Sequence, residues 1–320
     1  MPTQSKPLRY LLNSGDSIPA LGLGSVGFAV PRNVITDAML HAIKIGYRHI
    51  DTASSYGSEP AIGDALSRAF GSGIVKREEM FITSKLWCDD HDPEDVIPAL
   101  QRSLKKLQLD HLDLYLMHFP VKLKKGTKLP PKEEEILPVD IQSTWREMEK
   151  CIGLGLAKSI GVSNFSIKKL TDLLSYATIT PAVDQVEMHP VWQQRHLREF
   201  CSSKGIHVSA WSPLAAPGTY YGTTEVIQHP VINAIAFKLG KTPAQVALRW
   251  GVQNGASVLP KSFNPSRIEE NFDVFGWDLS EQHMRDLQEI SQRRTNTCWF
   301  FCNATNGPYK TLQDLWDDES

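Results

Sequence analysis

Eight short apolar runs alternate with eight helix-patterned runs along the 320 residues, and this alternation limits the fold more than any other feature of the chain. Strands are expected near Leu21–Gly24, His49–Thr52, Met80–Lys85, Leu112–His118, Ser159–Val162, Ala182–Glu187, His207–Ala210 and Ser257–Pro260. Helices are expected at Asn33–Ile45, Glu59–Phe70, Pro93–Leu107, Ile141–Ile152, Ile167–Tyr176, Gln194–Lys204, Val231–Leu239 and Pro265–Phe272. A strand followed by a helix, repeated eight times, is the count of an α/β chain folded as a (β/α)8 TIM barrel. One domain is expected over residues 1–320: an N-terminal hairpin over 1–19 turning at Ser14 and Gly15, the barrel over 20–275, and an extra helix with a long C-terminal loop over 276–320. The extra helix reads as Ser280–Gln292. Lys122–Pro138 interrupts the rhythm and reads as a solvated loop, because its charges nearly cancel.

A net charge of -2 leaves no electrostatic footprint for nucleic acid, and 41% hydrophobic content suits a soluble globular chain. No leader-like apolar core, bilayer-length run or terminal address signal is read, so a cytoplasmic protein with no membrane partner is expected. Cys88, Cys151, Cys201, Cys298 and Cys302 form an odd, scattered set that reads as reduced thiols. His111 and His118 fall on opposite faces of a strand, and no metal site is expected.

Barrel active sites lie at the carboxyl ends of the strands. Asp51 ends the second strand and Tyr56 follows it; Lys85 ends the third and His118 the fourth. Each has an ordinary structural explanation alone, as a cap, a core histidine or a snorkelling lysine. Together they compose an acid: Asp51 holds Lys85, Lys85 loosens the proton of Tyr56, and His118 polarises a carbonyl. Moving a phenol from ~10 to about 7 requires about 4 kcal/mol of differential stabilisation, and a cation at ~4–6 Å typically supplies one to three units.

Gly22, Gly24 and Gly27 satisfy the letters of a dinucleotide fingerprint, but Phe28-Ala-Val-Pro31 delays the helix that the fingerprint needs. The better phosphate candidate follows the last strand. Lys261 and Ser262 end it, Asn264 caps a helix with Pro265 at its first position, and Arg267 lies in the first turn.

GYRHIDTASSYGSE (46–59), SKLW (84–87), DLYLMH (113–118), IGVSNF (160–165) and LPKSFNPSRIEEN (259–271) stand in an order and spacing that closely resemble the aldo-keto reductase family. The likeness covers nearly the whole chain. It is nearest to plant members, both aldehyde-detoxifying reductases and ketone reductases of specialised metabolism such as codeinone and methylecgonone reductases. It implies a catalytic set of Asp51, Tyr56, Lys85 and His118 that reduces a carbonyl with NADPH. It implies that Ser163, Asn164 and Gln185 hold the nicotinamide carboxamide and that Trp211 stacks on its ring, where the family usually has Tyr. Ser212 and Leu214 resemble the pyrophosphate loop, Lys261, Ser262, Phe263 and Arg267 the 2'-phosphate site, and Glu270 and Asn271 the adenine site. Val26, Phe28, Trp87, Phe119 and Trp299 are the implied substrate wall. Val26 and Phe119 stand where reductases of small aldehydes often carry Trp, which suggests a roomier pocket. A monomer acting on a small-molecule carbonyl is expected. An NADPH-binding sensor without turnover and a Schiff-base aldolase using Lys85 are the alternatives.

Overall fold

The computed structural model describes residues 8–305 and 307–318. The first seven residues and the last two, on which the leader and address expectations partly rest, lie outside the described residues. A hairpin, β1 (Arg9–Leu11) and β2 (Ser17–Pro19), opens the fold. Barrel strands then alternate with helices: β3 (Leu23–Gly24), α1 (Arg32–Ile45), β4 (His49–Asp51), α2 (Glu59–Gly71), β5 (Phe81–Leu86), α3 (Pro93–Leu107) and β6 (Leu112–Met117). An inserted hairpin, β7 (Lys122–Leu123) and β8 (Ile136–Leu137), precedes α4 (Ile141–Gly153), β9 (Ala157–Ser163), α5 (Ile167–Leu174), β10 (Val183–Glu187), α6 (Arg195–Ser203) and β11 (His207–Trp211). Three helices, α7 (Glu225–Gln228), α8 (Pro230–Leu239) and α9 (Pro243–Gln253), lead to β12 (Ser257–Leu259) and α10 (Pro265–Phe272). The chain ends with α11 (Glu281–Gln288) and α12 (Leu312–Trp316).

The parallel order β12-β11-β10-β9-β6-β5-β4-β3 forms an eight-stranded, nearly closed (β/α)8 barrel. The seam is stitched by two parallel bridges, Leu21 to Val258 and Gly24 to Lys261, with Gly24 N–H donating to Pro260 O at 3.0 Å. Gly22 and Gly24 permit that approach: a Cβ on Gly22 would lie 2.7 Å from both His49 and Leu259. These glycines thus close a barrel, and α1 begins only at Arg32 after Pro31.

The lower end is plugged by the first hairpin. Leu12 and Ile18 pack in one cluster with Phe81, Leu114, Leu116, Ala182 and Val183, of which Phe81 and Val183 start their strands. Tyr10 Oη donates to Val252 O at 2.6 Å, and Asn13 Nδ2 to Pro181 O at 2.9 Å, so the plug is tied as well as packed. Outside the strands, amphipathic helices lay apolar faces inward. In α3, Val96, Ala99, Leu100, Ser103, Leu104 and Leu107 form a buried stripe at three- and four-residue spacing.

Two expectations need correction. The run between the seventh and eighth barrel strands contains more than one long helix: α9 was missed, although Thr242, Pro243 and Gln245 form its capping box and first turn. Lys122–Pro138 is a solvated loop only in its middle, where most of residues 124–134 are exposed; its two ends are not. It forms β7 and β8, with Leu123 and Ile136 buried beside Phe119, Phe301 and Trp316. Two of its lysines are held as well: Lys122 pairs with Asp92, and Lys125 with Asp90 and Asp95.

Close backbone contact between α2 and α3 rests on Gly63, where a Cβ would lie 2.4 Å from Lys106 O. Gly71, at the end of α2, has nothing within 4 Å of its Cβ position. Gly63→Ala is expected to cost about 1–3 kcal/mol through overpacking. Gly71→Ala is expected to leave stability unchanged or raise it by up to about 1 kcal/mol. Urea unfolding of the two variants checks the contrast.

Candidate active site

Tyr56 is presented by a single 3₁₀ turn, Ser54–Tyr56, between β4 and α2. Gly57, with φ +71°, accepts the left-handed backbone that ends the turn, where an L side chain would be strained. The turn is fastened on both sides. Ser54 Oγ donates to Lys85 O at 3.1 Å, and the buried Ser58 hydroxyl lies 3.1 Å from Ser25 Oγ and 3.0 Å from Thr52 Oγ1. The loop carrying the phenol is thereby fixed to β5, to β4 and to the segment after β3.

All four expected acid-site residues converge. Lys85 is 0% exposed, and its Nζ donates to Asp51 Oδ1 at 2.6 Å, Thr52 O at 2.8 Å and Tyr56 Oη at 3.4 Å. Tyr56 Oη lies 3.3 Å from His118 Nε2, on the other side of the phenol. Asp51 has its second oxygen occupied by Gln185 Nε2 at 2.7 Å, a bond from the opposite part of the barrel. Burying an ammonium is costly unless its donors are taken up, and here Nζ has three oxygen partners.

The electrostatics reverse one expectation. Tyr56 is pushed well above the usual phenol range, first by burial, then by the negative charge of Asp51 and by Tyr221. Its side chain as a whole is partly exposed; the upward push belongs to the hydroxyl end set between Lys85 and His118. The resting phenol is therefore a protonated donor and not a group poised near neutrality. Lys85 is lowered by burial, against which Asp51 acts. His118 is held well below its ordinary value by burial and by the Lys85 charge, so the imidazole is neutral.

The expected nicotinamide residues form a second network around the first. Asn164, in the left-handed region at φ +63°, donates from Nδ2 to His118 O at 2.9 Å and accepts from Trp211 Nε1 at 3.0 Å. Ser163 Oγ donates to Gln185 O at 2.7 Å. Trp211 is therefore tied at its indole nitrogen as well as placed at a strand end. After it, Ser212, Ala215 and Ala216 all have positive φ, giving a tightly coiled loop in which Leu214 is partly covered by the core.

At the far end, Asn264 caps α10 through Oδ1 to Arg267 N at 3.1 Å, with Pro265 in the first turn. Ser262 Oγ accepts from Asn264 N at 3.1 Å. Lys261 lies over the Phe263 ring at 4.5 Å and is lowered by burial and by repulsion from Arg267. Neither cation has an ion-pair partner among the described residues. Two repelling cations at a capped helix start form a donor set suited to a phosphate. Asn271 is buried, and Glu270 accepts from Thr242 Oγ1 at 2.7 Å.

The expected wall residues are less uniform. Trp87 meets His118 edge-on at 5.0 Å, and Phe119 stacks against His118 at 5.3 Å. Val26 is partly buried, while Phe28 and Trp299 are 64% and 66% exposed. Phe301, not Trp299, is the tail ring that covers Phe119, at 5.1 Å. Residues missed from sequence include Tyr221, whose hydroxyl is 3.5 Å from Ser212 Oγ, and Glu187, which accepts from Asn296 N at 3.0 Å and holds the tail. Arg294 adds a second tail anchor between Trp192 and Trp316. Only the run of aromatics in the tail hinted at this.

Comparison with known proteins gives concordant results. The pattern of the Aldo/keto reductase family matches residues 20–292. Aldo-keto reductase family 4 member C11 of Arabidopsis thaliana is 53% identical over 310 residues, covering 97% of this chain and 98% of that one. The (1S)-1,7-diacetoxy-luvungin A aldo-keto reductase of Citrus sinensis is 51% identical over 314 residues, 98% of each chain. An aldo-keto reductase of Bombyx mori, solved in complex with NADP, superposes with a TM-score of 0.84 at 36% identity, covering 91% of this chain and 95% of that one.

The buried histidines make stability depend on pH. Burial lowers His49 to about 3 and His91 and His207 to about 4, with His118 also well below its usual value. Below about pH 6.5 the unfolded chain takes up protons at these positions while the folded chain does not, so acid favours unfolding. Unfolding free energy is expected to be level above that pH. Below it, the fall should approach about 1.4 kcal/mol per pH unit for each histidine until the folded groups titrate. Urea titrations between pH 7.5 and 4.5 measure the slope.

Proposed function

The chain belongs to the aldo/keto reductase family of NADP-dependent oxidoreductases, and we propose that it reduces the carbonyl of an aldehyde or ketone to the alcohol with Tyr56 as proton donor. The observation that carries this reading is the setting of one phenol between the Lys85 ammonium at 3.4 Å and the His118 imidazole at 3.3 Å. NADPH, when bound, supplies the hydride to the carbonyl carbon. The residues of the chain position the oxygen and manage its proton.

As negative charge develops on the carbonyl oxygen, Tyr56 gives up its proton, and Lys85 meets the phenolate that forms. Burial keeps the phenol protonated at rest, so the acid is ready before each turnover. Asp51 does not reach substrate in this reading; it keeps the Lys85 ammonium in place, and Gln185 keeps Asp51 in place. A neutral His118 with its proton on Nε2 donates to the substrate oxygen and orients it. Trp87 and Phe119 bracket His118 and confine the carbonyl, while Val26, Phe28 and Trp299 contribute the outer wall.

In the same proposal Ser163, Asn164 and Gln185 hold the carboxamide and Trp211 faces the nicotinamide ring. Ser212 and Leu214 lie along the pyrophosphate, and Lys261, Ser262, Phe263 and Arg267 receive the 2'-phosphate. Glu270 and Asn271 flank the adenine. The substrate is a reactive aldehyde or a specialised-metabolite ketone of the alkaloid, polyketide or steroid type, a range that accords with a Citrus relative named for a diacetoxy-luvungin substrate. All four acid-site groups come from one chain, which supports function as a monomeric single domain. Five free thiols accord with a reducing, cytoplasmic setting. Lys85 is buried and bonded to Asp51, which counts against Schiff-base chemistry.

Tyr56→Phe is expected to bind NADPH with unchanged affinity, followed by tryptophan fluorescence, and to lose about 10²–10⁴-fold in kcat. An active Phe variant would overturn the acid assignment. Lys261→Ala with Arg267→Ala is expected to weaken NADPH by about tenfold or more while NADH binding changes little. Equal losses for the two cofactors would remove the 2'-phosphate assignment.

A further inference from the structure

Behind the acid site lies a second buried carboxylate that the reaction as described does not use. Glu59 opens α2, three residues after Tyr56, and is 1% exposed. Its Oε1 accepts from Ser84 Oγ at 2.8 Å, and its Oε2 has no hydrogen-bond partner, with Lys106 Nζ 3.6 Å away. A carboxylate buried this deeply with one oxygen unbonded is costly to keep for helix initiation alone, which an exposed acid or a neutral cap also serves.

Its connections lead to Lys85. Ser84 and Lys85 are neighbours on β5, so their side chains leave opposite faces of the strand. Lys85 enters the barrel, and Ser84 enters the layer between strand and helix, where Glu59 waits. The Tyr56 turn is thus gripped twice by two neighbouring residues in the second half of β5. Ser54 on one side of the phenol bonds the Lys85 carbonyl, and Glu59 on the other side bonds the Ser84 hydroxyl. Together these fix the turn relative to the strand that carries the ammonium.

We propose that Glu59 is a positioning residue for the proton donor: its carboxylate clamps the Tyr56 turn to β5 through Ser84 and places a second negative charge behind Lys85. The proposal rests on Tyr56 being the donor. The charge of Glu59 acts on Lys85 in the same direction as that of Asp51, towards the ammonium. The other groups around Lys85 are Asp51, Tyr56, His118 and His49. Those facing Glu59 are Ser84, Lys106 and Tyr115. Lys106 is half exposed and only partly offsets the carboxylate.

The test is the pH dependence of kcat for 4-nitrobenzaldehyde reduction by the full chain, with NADPH affinity measured alongside. Glu59→Gln retains an acceptor for Ser84 but removes the charge. It is expected to bind NADPH normally and to move the alkaline limb of kcat toward acid by about half a unit or more, because Lys85 surrenders its proton more readily. Ser84→Ala retains the charge but releases the clamp, and is expected to lower kcat several-fold with the limb in place. A purely structural Glu59 would lower stability or rate and leave the limb unmoved, and that result overturns the proposal. Should Glu59→Gln fail to fold, Lys106→Met tests the same point from an exposed position. It leaves the carboxylate less compensated and is expected to move the limb toward alkali; an unmoved limb overturns the proposal equally. Tyr56→Phe separates the two readings. Turnover in that variant removes the donor assignment itself, whereas a dead Tyr56→Phe with an unmoved Glu59→Gln limb removes only the role given to Glu59.

Discussion

A fully buried ammonium paired with a buried carboxylate is the interaction on which the rest of the site depends. Lys85 and Asp51 cannot be left apart in this interior: removing one partner of such a pair typically costs about 3–5 kcal/mol, a large part of an ordinary domain's stability. The pair holds because β4 and β5 run side by side in register and because the closed barrel brings Gln185 of β10 within reach of the remaining Asp51 oxygen. Three strands therefore have to be correctly placed before the charge is tolerated. The same placement brings the Tyr56 hydroxyl to Nζ and to His118.

Burial and charge act against each other here, and their balance decides the state of the phenol. A cation alone would make Tyr56 more acidic. Desolvation and the nearby Asp51 charge outweigh it in the resting site, leaving a neutral phenol beside a ready ammonium. That arrangement favours donation only when an acceptor oxygen arrives, since phenolate then forms beside a counterion already in position. The surrounding aromatic rings, Trp87 and Phe119 against His118, limit the water that could compete for the same bonds.

Much of this was legible in the sequence because barrel geometry turns strand endings into addresses. Asp51, Lys85 and His118 could be placed at one rim from the strand count alone, and Asn264 and Pro265 marked the phosphate-facing helix by local capping chemistry. The partnership of Gln185 with Asp51 was not legible, since it links residues 134 positions apart across the barrel interior. The sign of the Tyr56 shift also depended on burial, which composition does not report. The inserted hairpin was hidden by its charges: Leu123 and Ile136 are its buried apolar contacts, and they acquire meaning only when the tail packs over them. The α9 helix is different, because its capping box, Thr242 with Gln245, is local chemistry present in the letters.

That packing of insertion against tail has a temporal side. Ribosomes deliver a chain from its N-terminus, and domains begin to organise as they emerge. Asp51, Tyr56, Lys85 and His118 are all delivered within the first 118 residues, whereas the seam at Leu21 and Gly24 must wait for Val258 and Lys261. Phe301 and Trp316, which cover Phe119 and the inserted hairpin, come later still. Until residue 258 is made, the barrel that buries Asp51 and Lys85 has no closing strand, so the enclosure of these charges depends on residues more than 170 positions downstream of them.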